Sequence, residues 1–395
     1  MMRFDLVPHY SPGTPKPWAE VTREMTEESV LAEQIGMTAI WVGEHHFGTP
    51  HVDNGATNPA FLDLHIANHT KKLRVGQIPT VITDHHPLRV AEEIAMLDVL
   101  SGGRAEFGVG RGTNDRSCIQ WFPAADRRND EVNYRLFIEN LEVIVGAWTQ
   151  EAFTHQGEFW TFPVPGWKEE NHAFRALDTT YYGAGGEMVA LDVRPKPLQK
   201  PHPPIWMATE KAKSHEYAGE RGYGMLSWAV HKDRMLANWE AYQRGAQRAG
   251  RMNERFGERM AVMHTIHVAR TMEEAAAQCR YGVNKQWDFS TGSKPAVWAK
   301  KWFAPTGMDL TPEHEAMDWF DFLQSTDGIW VGTPEYVAEK IEQYRSEIGL
   351  EHLILWPQLF ELGHKNVMNM LELFAAEVMP KFESVGLREP VGAGA

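Results

Sequence analysis

The feature that most constrains the fold of this chain is a repeated alternation of short apolar runs with stretches of helical length. Most runs are separated by a segment whose apolar residues recur about every 3.6 positions. The runs lie at residues 4–7, 39–42, 73–78, 105–109, 204–207, 224–226, 260–268 and 352–355. Repeated strand–helix units favour an α/β fold, a (β/α)8 TIM barrel, over a doubly wound sheet, because no GxGxxG follows the first run.

Two segments interrupt this repeat, at residues 150–203 and 284–327. The first contains a predicted hairpin over residues 153–160 and then a Gly- and Pro-rich stretch. The second carries Trp287, Trp298, Trp302 and Trp319. Long insertions in a barrel shape access to the active site or merely decorate the surface. We predict a single domain over residues 1–395 with these two insertions.

The composition excludes several classes of protein. Lys and Arg total 39 against 53 Asp and Glu, a net charge of −14, which disfavours binding to nucleic acid or an anionic membrane. Two separate cysteines rule out a disulfide scaffold and suggest a reducing compartment. There is no apolar run of about 18 residues and no signal-peptide core, so we expect a soluble, cytoplasmic protein.

Polar residues directly follow several apolar runs. They are Gly43-Glu44-His45-His46, Pro79-Thr80, Gly110-Arg111-Gly112, Thr209-Glu210-Lys211 and Ser227-Trp228. The active site of a parallel barrel lies at the C-terminal ends of its strands. These segments together supply an acid, a base, cations, glycines and an aromatic ring, as an enzyme site requires.

The chemistry of each segment suggests a role, although each also has a structural explanation. His45 beside Glu44 suits proton transfer near neutral pH, but loop histidines are often only hydrogen-bonded. Arg111 between glycines suits a phosphate, but Gly-Arg-Gly alone also fits a plain tight turn. Lys211 and Thr209 precede a predicted helix, where anions bind. Arg135 is most simply a surface residue.

A metal site is the weaker interpretation. His65 and His69 are spaced i, i+4 on a predicted helix, and His85 adjoins His86. An HExxH motif and the strand-end HxH of metallohydrolase barrels are both missing. We therefore predict no metal ligands.

Several motifs together resemble the bacterial luciferase-like monooxygenases over nearly the whole chain, apart from the two insertions. They are Gly43-Glu44-His45-His46-Phe47, His86-Pro87-Leu88-Arg89, Ser101-Gly102-Gly103-Arg104, Phe107-Gly108-Val109-Gly110-Arg111-Gly112, Val331-Gly332-Thr333-Pro334-Glu335 and Leu353-Ile354-Leu355-Trp356-Pro357. These motifs are specific for the family but not for a substrate.

The resemblance implies a TIM barrel that binds FMN at the C-terminal ends of its strands. Members typically use reduced FMN supplied by a separate flavin reductase. Molecular oxygen adds at the flavin C4a position, and the peroxyflavin oxidises an aldehyde, a ketone or a similar small substrate. The flavin carries the oxygen chemistry, and the protein positions and shields it. A homodimer is also expected.

The resemblance assigns roles to individual residues. His45 would be catalytic, with Glu44 beside it, and Ile78-Pro79 falls where the family has an unusual, often cis, peptide near the flavin ring. The remaining implied cofactor-binding residues are Gly110, Arg111, Arg135, Thr209, Glu210, Lys211 and Trp228.

Two departures and three alternatives accompany this assignment. Gly110 stands where luciferase has a cysteine, so light emission is not supported, and Lys211 replaces a usual serine. An F420-dependent dehydrogenase on the same barrel is the first alternative. A non-catalytic flavin-binding subunit and a metal-dependent barrel hydrolase are the others.

Overall fold

The chain, described here by a computed structural model, has the predicted (β/α)8 fold class, with parallel strands and helices between them. Each of the predicted apolar runs contains a strand. The described residues are 2–8, 16–47, 56–112, 115–171, 173, 179–228, 231–292, 294–295, 297, 310–357 and 359–382.

The strands and helices are numbered in chain order. The strands are β1 (Arg3–Leu6), β2 (Ala39–Val42), β3 (Arg74–Gln77), β4 (Thr80–Val81), β5 (Ala105–Gly110), β6 (His155–Gln156), β7 (Thr161–Phe162), β8 (Ile205–Ala208), β9 (Gly224–Trp228), β10 (Met260–His264), β11 (Ile266–Val268), β12 (Trp330–Gly332) and β13 (His352–Leu355). The helices are α1 (Trp18–Gln34), α2 (Pro59–His69), α3 (Pro87–Leu100), α4 (Asp115–Trp121), α5 (Asp130–Thr149), α6 (Ala212–Arg221), α7 (Lys232–Arg248), α8 (Phe256–Arg259), α9 (Met272–Thr291), α10 (Pro312–Ala316), α11 (Trp319–Ser325), α12 (Pro334–Ile348) and α13 (His364–Glu377).

Two compact units make up the chain. Among the described residues, unit 1 comprises those up to Ile78 and those from Ile205 onward, and unit 2 comprises those of Pro79–Pro204. The single domain over residues 1–395 stays a prediction. Within the described residues, no helix has both the length and the apolar character needed to cross a membrane.

In unit 1 the parallel strands follow the order β3-β2-β1-β13-β10-β9-β8. Asp5 lies opposite Ile354, and Met263 lies opposite Trp228. Because these strands run in one direction, their C-terminal ends share one edge of the sheet. The polar segments that follow β2, β8 and β9 therefore lie along that edge.

A buried apolar cluster fills one face of these strands. Its members are Val7, Ala39, Trp41, Trp206, Leu226, Ala261, Ile354 and Trp356. The rings of Trp41 and Trp206 meet edge to face, with centroids 6.1 Å apart. A Cβ at Gly224 would lie 2.2 Å from the Trp206 ring, so this position of β9 accepts only glycine. The core is thus built around large indoles that approach neighbouring backbone closely.

Unit 2 contains β4 and β5, which pair in parallel, and the hairpin of β6 and β7. The hairpin confirms the prediction near residue 153, with His155 opposite Phe162. Its turn is held by the buried Glu139 carboxylate of α5, which accepts the backbone N–H groups of Glu158 at 2.9 Å and Trp160 at 2.8 Å. The first insertion is therefore anchored to the helix before it.

The second insertion is partly outside the described residues, which include neither Trp298 nor Trp302. Hydrogen bonds join the described residues at its start, on α9, to those near its end, at the start of α11. The Asn284 amide donates to Asp318 at 2.9 Å, and the Trp319 indole donates to Asp288 at 2.9 Å. These contacts attach α11 to α9.

Candidate functional site

The predicted catalytic segment follows β2 directly. A Cβ at Gly43 would lie 3.3 Å from the carbonyl oxygen of Ile78 and 3.8 Å from Nε2 of His45. Gly43 therefore adjoins both residues, and its lack of a side chain leaves room between them. The backbone N–H of His45 donates to the carbonyl of Ala56 at 2.9 Å, which fixes the main chain just beyond the strand.

The two histidines of this segment differ in their relation to Glu44. Glu44 is buried, and its Oε1 lies 2.7 Å from Nε2 of His46. His45 retains an exposed surface. Desolvation by the surrounding protein lowers the pKa of His45, the Glu44 charge opposes this shift, and His46 adds to it. The lowered pKa favours the neutral imidazole, which has one nitrogen that can donate a proton and one that can accept it.

Partly buried apolar side chains lie on the core cluster of unit 1, and we call them the apolar floor. They are Ile78, Ala208, Trp228 and Met263. Each comes from the C-terminal end of a strand or from the residue just after it. Nε2 of His45 and the carbonyl oxygen of Ile78 both lie within 4 Å of the Cβ position of Gly43, so the imidazole is near the backbone of one floor residue. The arrangement suits a flat, largely apolar ring that needs a proton donor or acceptor at its edge.

Trp228 belongs to a set of packed indoles. Its ring meets Trp356 edge to face at 5.1 Å and an angle of 88°. The Trp228 ring also stacks on the Trp287 ring, with centroids 6.1 Å apart and an interplanar angle of 16°. Trp287 in turn stacks on Trp319, with centroids 5.6 Å apart and an interplanar angle of 25°. Trp287 and Trp319 are buried. The described tryptophans of the second insertion thus form a stacked column behind the floor.

The turn after β8 has the features of an anion site. The Thr209 hydroxyl accepts the backbone N–H of Lys211 at 3.3 Å, and Lys211 is exposed immediately before α6. No acidic side chain lies in the first turn of α6. The positive end of the helix dipole and the lysine charge therefore act together on any anion at this turn.

Glu210, which was predicted to bind cofactor on the same turn, directs its carboxylate to the protein. Oε1 accepts the Trp228 N–H at 3.2 Å and the Ser227 hydroxyl at 3.1 Å. Oε2 accepts the Asn238 amide at 2.8 Å. Burial raises the pKa of Glu210 to about 7, although these hydrogen bonds and the Arg234 charge act to lower it.

The Gly-Arg-Gly turn belongs to unit 2 and follows β5, which ends at Gly110. Gly112 has a φ of +69°, and a Cβ there would lie 3.0 Å from Cγ1 of Val81. The Arg111 guanidinium pairs with the Asp130 carboxylate at the start of α5 and lies 5.6 Å from the Tyr134 ring centroid. Its side chain is only 10% exposed. The turn thus requires glycine at position 112, and the Arg111 guanidinium is already paired with Asp130.

Arg135, the possible second phosphate contact, lies on the exposed face of α5. Its Nε donates to Glu158 Oε2 at 2.8 Å, and Glu131 lies 3.7 Å away. The guanidinium is 42% exposed. These pairs suit the surface role that the sequence also allowed, and the phosphate role of Arg135 stays a prediction.

Two further expectations concern local geometry. The Ile78-Pro79 peptide, which the family resemblance allowed to be cis, is trans; the cis bonds of the described residues precede Pro163, Pro195 and Pro201. The predicted His65 and His69 pair shares a face of α2, with ring centroids 4.4 Å apart.

Sequence reasoning missed part of the floor and its support. Trp356 directly follows β13, so the strand-end rule that found His45 would also have found it. Ala208 and Met263 lie within β8 and β10, and only the strand register shows which face they occupy. The stacking of Trp287 on Trp228 needed the tertiary structure.

Known proteins share this fold. The oxygenase component of a flavin-dependent trigonelline monooxygenase from Acinetobacter baylyi is 31% identical over 231 residues, which cover 58% of this chain and 55% of that relative. The FMN complex of the oxygenating constituent of 3,6-diketocamphane monooxygenase from Pseudomonas putida, a type II Baeyer-Villiger monooxygenase, has a TM-score of 0.74 at 22% identity. It covers 97% of this chain and 99% of that one.

The structure of an enzyme that depends on another cofactor is also similar. The coenzyme F420-dependent tetrahydromethanopterin reductase from Methanopyrus kandleri has a TM-score of 0.65 at 20% identity, covering 97% of this chain and 99% of that one. Structural likeness at such identities shows the fold alone. The family described as luciferase-like monooxygenase, in contrast, matches residues 2–352 in sequence. The chain therefore belongs to the luciferase-like monooxygenase family.

Proposed function

We propose that this protein is a flavin-dependent monooxygenase that uses reduced FMN and O2 to oxidise a small organic substrate such as an aldehyde or a ketone. The observation that carries the proposal is the apolar floor of unit 1 with His45 near the backbone of Ile78. A flat apolar surface near a neutral imidazole is what an isoalloxazine ring and its proton chemistry require.

The residues of unit 1 fit FMN at both ends of the molecule. The floor around Trp228 and Ile78 would support the ring, and Gly43 leaves space beside it that a side chain would fill. Thr209 and Lys211 at the N-terminus of α6 would receive the phosphate. Within unit 2, Arg111 is a separate candidate for a phosphate contact, with Gly110 as the strand end before it.

His45 would hold or release the proton that the reaction needs. Bound reduced flavin supplies the electrons that activate O2 for insertion of one oxygen atom into the substrate. His45, whose neutral form desolvation favours, can accept a proton at one nitrogen and donate one from the other. The Trp228 indole and the aliphatic side chains of the floor would keep water from the ring, which protects reactive groups from loss by hydrolysis or proton leakage.

The proposal also includes partners. The relative from Acinetobacter baylyi is named an oxygenase component, which supports a separate flavin reductase as the source of reduced FMN. A homodimer is proposed from the family and from the general frequency of two-fold assemblies.

An anaerobic binding and labelling experiment tests this function. The protein is titrated with reduced FMN and, in parallel, with reduced F420, and isotopically labelled O2 is then admitted with a panel of aldehydes and ketones. We expect FMN to bind more tightly, and product to carry one labelled oxygen. Preferential binding of F420, with unlabelled or dehydrogenated product, would support the dehydrogenase alternative instead. Flavin binding without any turnover on the panel would favour a non-catalytic subunit.

A further inference from the structure

The Glu210 carboxylate joins three parts of unit 1. It lies on the turn after β8, and it accepts hydrogen bonds from the end of β9 and from α7. In addition, the Glu210 carbonyl accepts a guanidinium N–H of Arg234 at 3.2 Å. Each carboxylate oxygen thus has a protein donor within hydrogen-bond distance.

These bonds leave Glu210 poorly suited to contact a phosphate through its side chain. Both carboxylate oxygens already accept hydrogen bonds from Ser227, Trp228 or Asn238, and a phosphate would have to displace these donors to reach them. Whenever the carboxyl is ionised, it can only accept hydrogen bonds, as phosphate oxygens do, and the like charges repel. A direct contact between the two groups would therefore be unfavourable, whereas Lys211, the next residue, carries the charge that a phosphate needs.

The same bonds act on the apolar floor through Trp228. Glu210 holds the backbone N–H of Trp228 at 3.2 Å. On the other side, Trp356 meets the Trp228 ring edge-on and Trp287 stacks on it. Trp228 is thus held through its backbone N–H and through the contacts of its ring with two other indoles. Loosening the backbone contact should change how the ring packs in the floor.

We propose that Glu210 is a positioning residue, which sets the indole of Trp228 for the flavin ring and makes no contact with the flavin phosphate. The inference rests on the proposed flavin site and deepens it, because it reassigns one residue of the turn from phosphate binding to ring binding. The enclosed position of the carboxylate, whose pKa burial raises to about 7, agrees with a group held inside the protein.

A comparison of FMN with riboflavin, which has the same ring and no phosphate, separates the two roles. The Glu210→Gln variant replaces one acceptor oxygen by an NH2 group that must face a donor. We expect it to weaken binding of both ligands by a similar factor, about tenfold, because a displaced Trp228 indole would affect the ring that the two ligands share. The control, Lys211→Met, should weaken binding of FMN and leave riboflavin unchanged. Glu210→Gln affecting FMN alone, or neither ligand, would overturn the proposal.

The near-ultraviolet circular dichroism of the ligand-free protein gives a second readout. Stacked indoles produce a strong signal, so Glu210→Gln should change the spectrum in the same direction as Trp228→Phe. Ser227→Ala removes one hydrogen bond to Oε1 of Glu210 and should change the spectrum in the same direction by a smaller amount. This second variant still tests the proposal if Glu210→Gln fails to fold. A spectrum of folded Glu210→Gln identical to the wild type contradicts the proposal. Failure of the wild type to bind either flavin contradicts the proposed function instead, and the spectra still test Glu210.

Discussion

The Glu44 carboxylate lies 2.7 Å from Nε2 of His46. The acid of the segment after β2 is therefore bonded to the second imidazole, and it acts on His45 through its charge. This arrangement separates two tasks. The buried Glu44 pairs with the partly buried His46, and His45 remains accessible near the backbone of Ile78.

Glu44→Gln should shift the titration of His45 to lower pH. Desolvation already lowers the pKa of His45, and the Glu44 charge is the opposing influence that the substitution removes. We expect a further decrease in the pKa of His45. It would be measured from the imidazole resonances by NMR and from the acid limb of kcat/KM. The exposed Glu258→Gln is the control. An increase in the pKa of His45 in Glu44→Gln would show that the contact between Glu44 and His46, and not the charge of Glu44, determines this pKa.

His45→Asn should reduce turnover while flavin binding is retained. Loss of a positioned proton donor or acceptor typically costs about 10²- to 10⁴-fold in rate. The dissociation constant of FMN, measured by fluorescence quenching, should change little, because the floor is intact. Turnover equal to that of the wild type would remove His45 from proton transfer.

Arg111→Ala should weaken FMN binding by about 1.5–3 kcal/mol, the value of a hydrogen bond to a charged group. Riboflavin binding should be unaffected, since the expected contact is with the phosphate. Asp130→Asn, which removes the acidic neighbour of Arg111, should leave FMN binding equal or tighter. Arg135→Ala tests the second predicted contact, and a smaller effect is expected because Glu158 already binds this exposed guanidinium. Equal loss of FMN and riboflavin in Arg111→Ala would point to a structural role.

The strands were predictable from sequence, because burial of parallel strands leaves short apolar runs that periodicity can find. The position of His45 was predictable for the same reason, since it follows such a run. Met263 and Ala208 were not, because an unbroken apolar run does not reveal which side chains face inward. The partners of Glu210 lie 17 to 28 positions away in the chain, and no local pattern encodes them.

The trans Ile78-Pro79 bond and the Arg111 pair illustrate a second limit. A family resemblance indicates which positions of the chain correspond to functional residues. It does not indicate the local backbone conformation there or which charged side chains lie nearby. Asp130 begins α5, so its approach to Arg111 depends on where that helix starts in the folded unit. Such contacts follow from packing and become visible only in the structure.

Gly112→Ala should destabilise the fold more than Gly102→Ala. Both glycines have a φ of +69°, so both substitutions carry the same backbone strain. A Cβ at Gly112 would also lie 3.0 Å from Val81, whereas no heavy atom lies within 4 Å of one at Gly102. We expect backbone strain to lower the free energy of unfolding by about 1 kcal/mol in each variant. The contact with Val81 should lower it by about 1–2 kcal/mol more in Gly112→Ala. Urea unfolding gives both values, and equal losses would show that Val81 moves aside freely.

His364→Gln should remove a pH-dependent contribution to the free energy of unfolding. Nδ1 of His364 lies 2.8 Å from Glu28, and Nε2 lies 2.9 Å from Glu27, so the first turn of α13 is tied to α1. The hydrogen bond to Glu28 raises the pKa of His364, burial opposes this, and the Glu28 charge and the Glu27 hydrogen bond add to the increase. We expect a loss of about 1–2 kcal/mol when the imidazole is charged, less than for a fully buried pair because Glu27 is exposed.

The sign of the pH dependence follows from the raised folded-state pKa of His364. The stabilisation is fully present below the unfolded-state pKa, about 6.5, and is lost as the pH rises through the higher folded-state value. The difference in unfolding free energy between wild type and His364→Gln should therefore be larger at about pH 6 than at about pH 9. Urea unfolding at both pH values measures it, with the exposed His69→Gln on α2 as control. A difference that grows with pH would mean that His364 is held neutral and that its ring, not its charge, ties the two helices.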